Sequence, residues 1–227
     1  MSRPSLLQAL QDVGVVVSDL DFTLTNFGPK GRDAIFDLFE RFHFPERVLR
    51  AAFARAEKRG FTFTRLRLEI EREVGERFGD TERKQLKTEF SDWLTAHFRP
   101  YDDVLPVFGE FQATEKFIGI CTHGETLYQI QKIMTAQIPH DEVRVVRRDC
   151  VKHEYVRRLR KRFGGKILFL EDKPPELDAA SEIEGVVTVL VRRPESPHVD
   201  VEPKRDHYVI RSLRELLISD PSRQVAI

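Results

Sequence analysis

The sequence predicts an α/β protein: a doubly wound, mostly parallel sheet interrupted by an inserted all-helical segment. Three observations carry that reading. Val15-Val16-Val17-Ser18 is a β-branched run of the kind found in strands buried on both faces. The stretch that follows, from about residue 29 to 101, carries helical apolar stripes and no convincing strand. From Tyr101 onward, short apolar runs alternate with helical periods, the pattern of strand–helix–strand units.

Each element has its own signal. The first strand covers about 13–18, after a short amphipathic stretch, Leu6-Leu7-Gln8-Ala9-Leu10. Within the helical segment, Ala34, Ile35, Leu38, Phe39 and Phe42 share one face. Val48, Leu49, Ala52, Phe53 and Ala56 form a second stripe after Pro45, Leu66, Ile70, Val74 and Phe78 a third, and Leu86, Phe90, Trp93 and Leu94 a fourth. Gly60, Gly79 and Pro100 separate them. A helix is then expected from near Pro106, a strand at about 117–121, and a helix at about 125–135. A strand at about 143–147 precedes a helix at about 152–163, and a strand at 167–171 precedes a helix at about 174–182. The chain closes with a strand at 186–191, a short strand at 207–210, a helix from Ser212 to Ser219, and a tail from Pro221 that is expected to fray.

Because the first strand must join the later ones across the insertion, the expected organisation is discontinuous. Residues 1–28 and 102–227 form the α/β core and residues 29–101 a helical domain. At 227 residues the chain is long enough for both.

Composition excludes several function classes. There are 37 Lys and Arg against 37 Asp and Glu, a formal net charge of +0, so no global field favours nucleic acid or a membrane surface. The segment from Arg144 to Lys166 is locally basic but lacks interleaved aromatic rings, and reads as a solvated helix face. Two cysteines, Cys121 and Cys150, give neither a disulfide framework nor a zinc pattern and suit a reducing compartment. With no targeting segment and no apolar run of membrane length, the expected location is the cytoplasm.

The first strand ends in Ser18-Asp19-Leu20-Asp21-Phe22-Thr23-Leu24. Ligands of doubly wound sheets bind at the carboxyl ends of strands. Two carboxylates there, one residue apart, incur desolvation and mutual repulsion, which a cation or a reaction would use. Other strand ends carry further chemistry. Phe117-Ile118-Gly119-Ile120-Cys121 leads into Thr122-His123-Gly124, Lys152 opens a helix, and Lys166-Ile167-Leu168-Phe169-Leu170 ends in Glu171-Asp172 before Lys173-Pro174-Pro175.

In this order the four segments resemble the motifs of the haloacid dehalogenase-like (HAD) superfamily, whose core is a Rossmann-like sheet. The insertion after the first motif resembles its helical-cap subclass. The resemblance implies a Mg²⁺-dependent phosphatase acting on a small-molecule phosphate ester. Asp19 would be the nucleophile, forming an aspartyl-phosphate, and Asp21 the general acid/base. Metal ligands would be Asp19, the backbone carbonyl of Asp21, and Asp172, with Glu171 either a direct ligand or one step removed. Thr122 and Gly124 would hold phosphoryl oxygens, and Lys152 would offset the negative charge. His123 departs from the small polar residue usual after the motif Thr, and is open to a substrate contact or a solvated turn. His153 stands where relatives often carry Pro. An Asp at position 21 implies phosphatase or phosphomutase chemistry rather than dehalogenation. The alternatives are a phosphomutase of the same fold and a non-catalytic Mg²⁺-binding regulatory partner. Substrate choice is expected in the helical cap, with Arg59, Thr62, Thr64 and Arg65 as candidate contacts.

Overall fold

The computed structural model describes residues 4–27, 34–39, 42–147 and 151–217. Cys150 and the tail from Pro221 lie outside them. Two compact units result: one comprises Met1–Thr25, Pro100–Thr122 and Ile138–Ile227, the other Asn26–Arg99 and His123–Gln137.

The first unit is built on a six-stranded sheet. In chain order its strands are β1 (Val13–Ser18), β4 (Phe117–His123), β5 (Glu142–Val146), β6 (Lys166–Glu171), β7 (Val186–Val191) and β8 (Tyr208–Ile210). Two short strands, β2 (Thr25–Asn26) and β3 (Arg99–Pro100), pair separately. Spatial order is β5-β4-β1-β6-β7-β8, and β1 pairs in parallel with both β4 and β6. The β6–β7 and β7–β8 pairs are parallel as well. Successive strands thus step away from β1 in opposite directions, so the order reverses at β1 and ligand chemistry is expected at its carboxyl end.

The helices of this unit are α1 (Leu6–Leu10), α5 (Val104–Ala113), α7 (Lys152–Phe163) and α8 (Pro174–Ala180), with a 3₁₀ turn at Leu213–Leu216. Even the five-residue α1 has a capping box, in which Ser5 and Gln8 satisfy each other's backbone N–H groups. α7 starts without a side-chain cap from Val151 and stops at Gly164, which supplies a left-handed residue. α8 opens on Pro174, where the missing N–H costs nothing. Strand parity decides what the helices cover. Val15, Val17, Ile167 and Phe169 point to one face and pack with Tyr155, Val156 and Leu159 of α7 and Leu177 and Ala180 of α8. Gly119 lies on this face, opposite Val17, and a Cβ there would come within 2.7 Å of the Tyr155 hydroxyl.

The second unit is helical: α2 (Glu46–Lys58), α3 (Phe63–Val74), α4 (Asp80–His97) and α6 (Thr126–Ala136), plus a helical stretch over residues 34–37. The stripes read from the sequence are buried as expected at Ile35, Phe39, Leu49, Ala52, Ala56, Leu66, Ile70, Leu86, Phe90 and Leu94. Val74, the last residue of α3 before Gly75, is exposed instead. Among the candidate specificity residues, Thr62 and Arg59 make local contacts. Thr62 caps α3 by accepting from the Arg65 N–H at 3.0 Å, and Arg59 pairs with buried Glu69 at 3.1 Å. α6, whose sequence falls among the alternating elements, belongs to this unit.

Several boundaries differ from expectation. The helix expected near Pro106 begins at Val104, which places Pro106 in its first turn, where proline is tolerated. The expected helix from Ser212 is a 3₁₀ turn over the described residues, closed by a Ser212–Glu215 capping box. The strand at 117–121 runs on to His123.

Candidate active site

Four of the predicted site residues reach one place, two of them through strand parity and register. Asp19 continues the Val15–Val17 alternation and Glu171 continues Ile167–Phe169, and both strands meet at Ser18 opposite Leu170. Both carboxylates therefore point to the face that α7 covers. The first residue of α7 is Lys152, and its Nζ lies 2.6 Å from Asp19 Oδ1 and 2.7 Å from Glu171 Oε2. Asp172 follows directly. Carboxylate oxygens of Asp19, Glu171 and Asp172 lie within 4.8 Å of one another.

All four side chains are buried, with Glu171 completely enclosed. Burying ionised groups costs several kcal/mol each, so the constellation is held by mutual attraction and hydrogen bonds rather than by a solvation preference. Glu171 uses both oxygens, one on Lys152 and the other accepting the Lys173 N–H at 3.2 Å. Burial works against the Lys152 charge, but Asp19 and Glu171 outweigh it and hold the ammonium well above the lysine range. Burial, then repulsion from Asp19, pushes Glu171 well above the usual carboxylate range. The same two causes, in that order, raise Asp172 to about 6.

One ammonium thus faces three carboxylates, leaving excess negative charge at a buried point. The donors are hard oxygens. The nearby Cys121 thiol is pushed up to about 12, mainly by burial, so it stays protonated and offers no soft ligand. This donor set fits a hard divalent cation such as Mg²⁺. Cys121 is accordingly expected to resist alkylation in the folded protein at about pH 8 and to react fully in denaturant. Peptide mapping after iodoacetamide checks this, and rapid native labelling of Cys121 would contradict its buried, neutral state.

Asp21 sits on the turn after β1, half-buried. Phe22 adopts a left-handed φ of 58°, and its N–H donates to the Thr25 carbonyl at 2.8 Å. The Thr25 N–H and hydroxyl both donate to the Leu20 carbonyl, each at 3.0 Å. This is a closed, strained turn immediately beyond two carboxylates, a conformation that clusters at functional sites. Thr122 is buried near the end of β4, the strand beside β1. His123 and Gly124 are counted with the helical unit. There the His123 carbonyl accepts Gln129 Nε2 at 2.7 Å. Gly124 has a φ of 144°, which strains any side chain there, and a Cβ on it would lie 2.5 Å from that same Gln129 nitrogen and displace the amide.

Sequence reasoning missed several supporting residues. Ser196, in the loop after β7, donates its hydroxyl to Asp172 Oδ2. Fully buried Glu176 accepts the Lys152 backbone N–H at 3.3 Å, helping to anchor the uncapped start of α7. Arg193 forms a buried two-pronged pair with Asp103 at 2.8 and 2.9 Å and lies 4.2 Å from the Tyr101 ring centroid. Asp103 also accepts the Ser212 hydroxyl and the Leu213 N–H, each at 2.8 Å. Burial opposes its ionisation, but Arg193 and these donors keep its carboxyl below the usual range. None of these residues has a periodic signal. Only the Pro-Pro-Glu that opens α8 hints at a placed acid.

No protein-family model and no curated protein matches the chain. Solved structures do. The L-2-haloacid dehalogenase PA0810 aligns with a TM-score of 0.60 at 15% identity, over 90% of this chain and 97% of that one. The fold is that of the HAD-like hydrolases. A protein from Haemophilus somnus 129PT, described as a predicted phosphoglycolate phosphatase, aligns over 90% of this chain and 96% of its own, with a TM-score of 0.57 at 16% identity. YfnB from Bacillus subtilis, described as a HAD-hydrolase bound to magnesium and showing interdomain movement, aligns over 91% and 97%, with a TM-score of 0.59 at 17% identity. At such identities the likeness is one of HAD fold, shared by dehalogenases and phosphatases alike. Among the described residues no helix is long and apolar enough to cross a membrane.

Proposed function

We propose that this protein is a Mg²⁺-dependent phosphatase of a small phosphate monoester, acting through an aspartyl-phosphate on Asp19. The observation that carries the reading is the buried Lys152 bound to Asp19 and Glu171, with Asp172 alongside. Lys152 places a fixed cation beside Asp19, where the attacking carboxylate would meet arriving phosphoryl charge. Asp19, Asp172 and the Asp21 carbonyl would hold Mg²⁺. Glu171, with both oxygens engaged, secures Lys152. When bound, Mg²⁺ would offset the charge of the carboxylates and phosphoryl oxygens.

The chain's own residues divide the remaining work. Asp19 attacks phosphorus as the ester oxygen leaves, and Asp21 gives that oxygen its proton. Asp21 then takes a proton from the water that opens the acyl-phosphate, regenerating Asp19 and releasing phosphate. A leaving alkoxide needs this proton and a leaving halide does not, so Asp21 favours phosphoryl transfer over dehalogenation. Thr122 would donate to a phosphoryl oxygen, with Gly124 and His123 beyond it on the same strand end. We assign substrate selection to the helical insertion at 29–101 on the discontinuous core of 1–28 and 102–227.

The test is phosphate release from p-nitrophenyl phosphate and a panel of phosphorylated metabolites, with Mg²⁺ and with EDTA. Release that requires Mg²⁺ and returns when the metal is restored is expected. No release from any ester by protein that demonstrably binds Mg²⁺ would reject the phosphatase reading.

A further inference from the structure

We propose that Ser196 is the positioning residue for Asp172, fixing which carboxylate oxygen is offered to a metal. The inference rests on the Mg²⁺ reading above and concerns a loop that nothing in the four motifs assigns.

Ser196 is buried, and its oxygen accepts the His198 N–H at 3.0 Å. With one oxygen lone pair taken by that contact, the hydroxyl donates to Asp172 Oδ2. One Asp172 oxygen is thereby engaged from outside the acidic cluster. A carboxylate free to rotate would present either oxygen, and both the geometry and the charge seen by a small octahedral ion would vary. Mg²⁺ tolerates such variation poorly. Hydrogen bonds to ligating carboxylates typically control metal affinity for this reason.

The loop that carries Ser196 is itself fastened at its base. β7 exits through two consecutive arginines. The Arg192 guanidinium donates to the carbonyls of His198 and Val199, closing the loop on itself. The adjacent Arg193 is pinned by Asp103 at the start of α5. Inside the loop the Ser196 N–H donates to the Arg193 carbonyl at 3.1 Å and the Val199 N–H to the Ser196 carbonyl at 3.2 Å. This anchoring holds the Ser196 hydroxyl against Asp172. A purely structural serine would show the same loop bonds but no dependence of metal binding on its proton.

The experiment compares wild type with Ser196→Ala, Ser196→Cys and Ser196→Thr. Mg²⁺ affinity is measured by isothermal titration calorimetry. Thermal midpoints in EDTA are recorded alongside, with kcat and KM for p-nitrophenyl phosphate as Mg²⁺ is titrated. Ser196→Ala is expected to weaken Mg²⁺ binding about tenfold or more. Its kcat should recover as Mg²⁺ rises, and its substrate KM at saturating Mg²⁺ should stay near wild type. Ser196→Cys keeps nearly the same shape with a much weaker donor, so it should weaken binding as well, and it serves if the alanine variant does not fold. Ser196→Thr retains the hydroxyl and is expected to restore affinity. Unchanged Mg²⁺ affinity in folded Ser196→Ala or Ser196→Cys overturns the proposal while leaving the phosphatase reading intact. Failure of the threonine variant to restore binding, in folded protein, also overturns it. Wild type that binds no Mg²⁺ overturns the metal reading and this inference together.

Discussion

An Asp19→Asn variant is expected to release phosphate at least about 10⁴-fold more slowly than wild type at saturating Mg²⁺, a barrier increase of about 5.5 kcal/mol. The amide is nearly isosteric with the carboxylate but cannot form the acyl-phosphate. Loss of fold is not the expected cause. Asp19 follows burial as the second cause of the raised titration of both Glu171 and Asp172, so its charge repels two buried neighbours. Lys152 keeps Glu171 as a partner at 2.7 Å when Asp19 is neutralised. The thermal midpoint of the metal-free variant should therefore match or exceed that of wild type. Phosphate release measured beside circular-dichroism melting separates the effects. Activity within about tenfold of wild type would remove Asp19 from the nucleophile role.

Lys152→Met carries the largest expected loss of stability. Methionine matches the stem of the lysine but leaves Asp19 and Glu171 facing each other, buried, with their shared cation gone. Removing one member of such a buried ionic group costs about 3–5 kcal/mol. In a chain of this size that lowers the thermal midpoint by roughly 10 °C. Mg²⁺ should return part of the loss by supplying positive charge, whereas it should do little for a variant of an exposed pair such as Arg50–Glu46. A midpoint within about 2 °C of wild type in EDTA would mean that the ammonium does not hold the carboxylates together. Turnover should be lost even where Mg²⁺ restores the fold, because the fixed cation beside Asp19 is absent.

Both predictions concern residues that the sequence already displayed. A buried strand announces itself through β-branched side chains, and an acid at its end is conspicuous because apolar runs rarely finish that way. For that reason β1, β4 and β6 were legible as strands, and the resemblance to the HAD motifs singled out Asp19, Thr122, Glu171 and Asp172 at their ends. Lys152 was picked out by the same resemblance, its place at the start of a helix that follows a strand deciding among the candidate lysines. The helical stripes of the insertion were equally plain, since each repeats at the helical period over several turns.

What sequence could not supply was partnership across long separations. Asp103 and Arg193 are 90 residues apart and Ser196 and Asp172 are 24 apart, yet both pairs are hydrogen-bonded in the interior. Hydrogen bonds of this sort depend on where loops return in space, and no local period records that. Nor could the sequence place α6, whose alternation with strands suggests the sheet domain although its packing groups it with the helical unit. The chain by itself thus determined the kinds of elements and the acids at the strand ends, because burial and repeat length are written into neighbouring residues. Tertiary structure decided that Lys152 bridges Asp19 and Glu171 and that Ser196 engages Asp172, because side-chain pairing follows from strand register and loop closure.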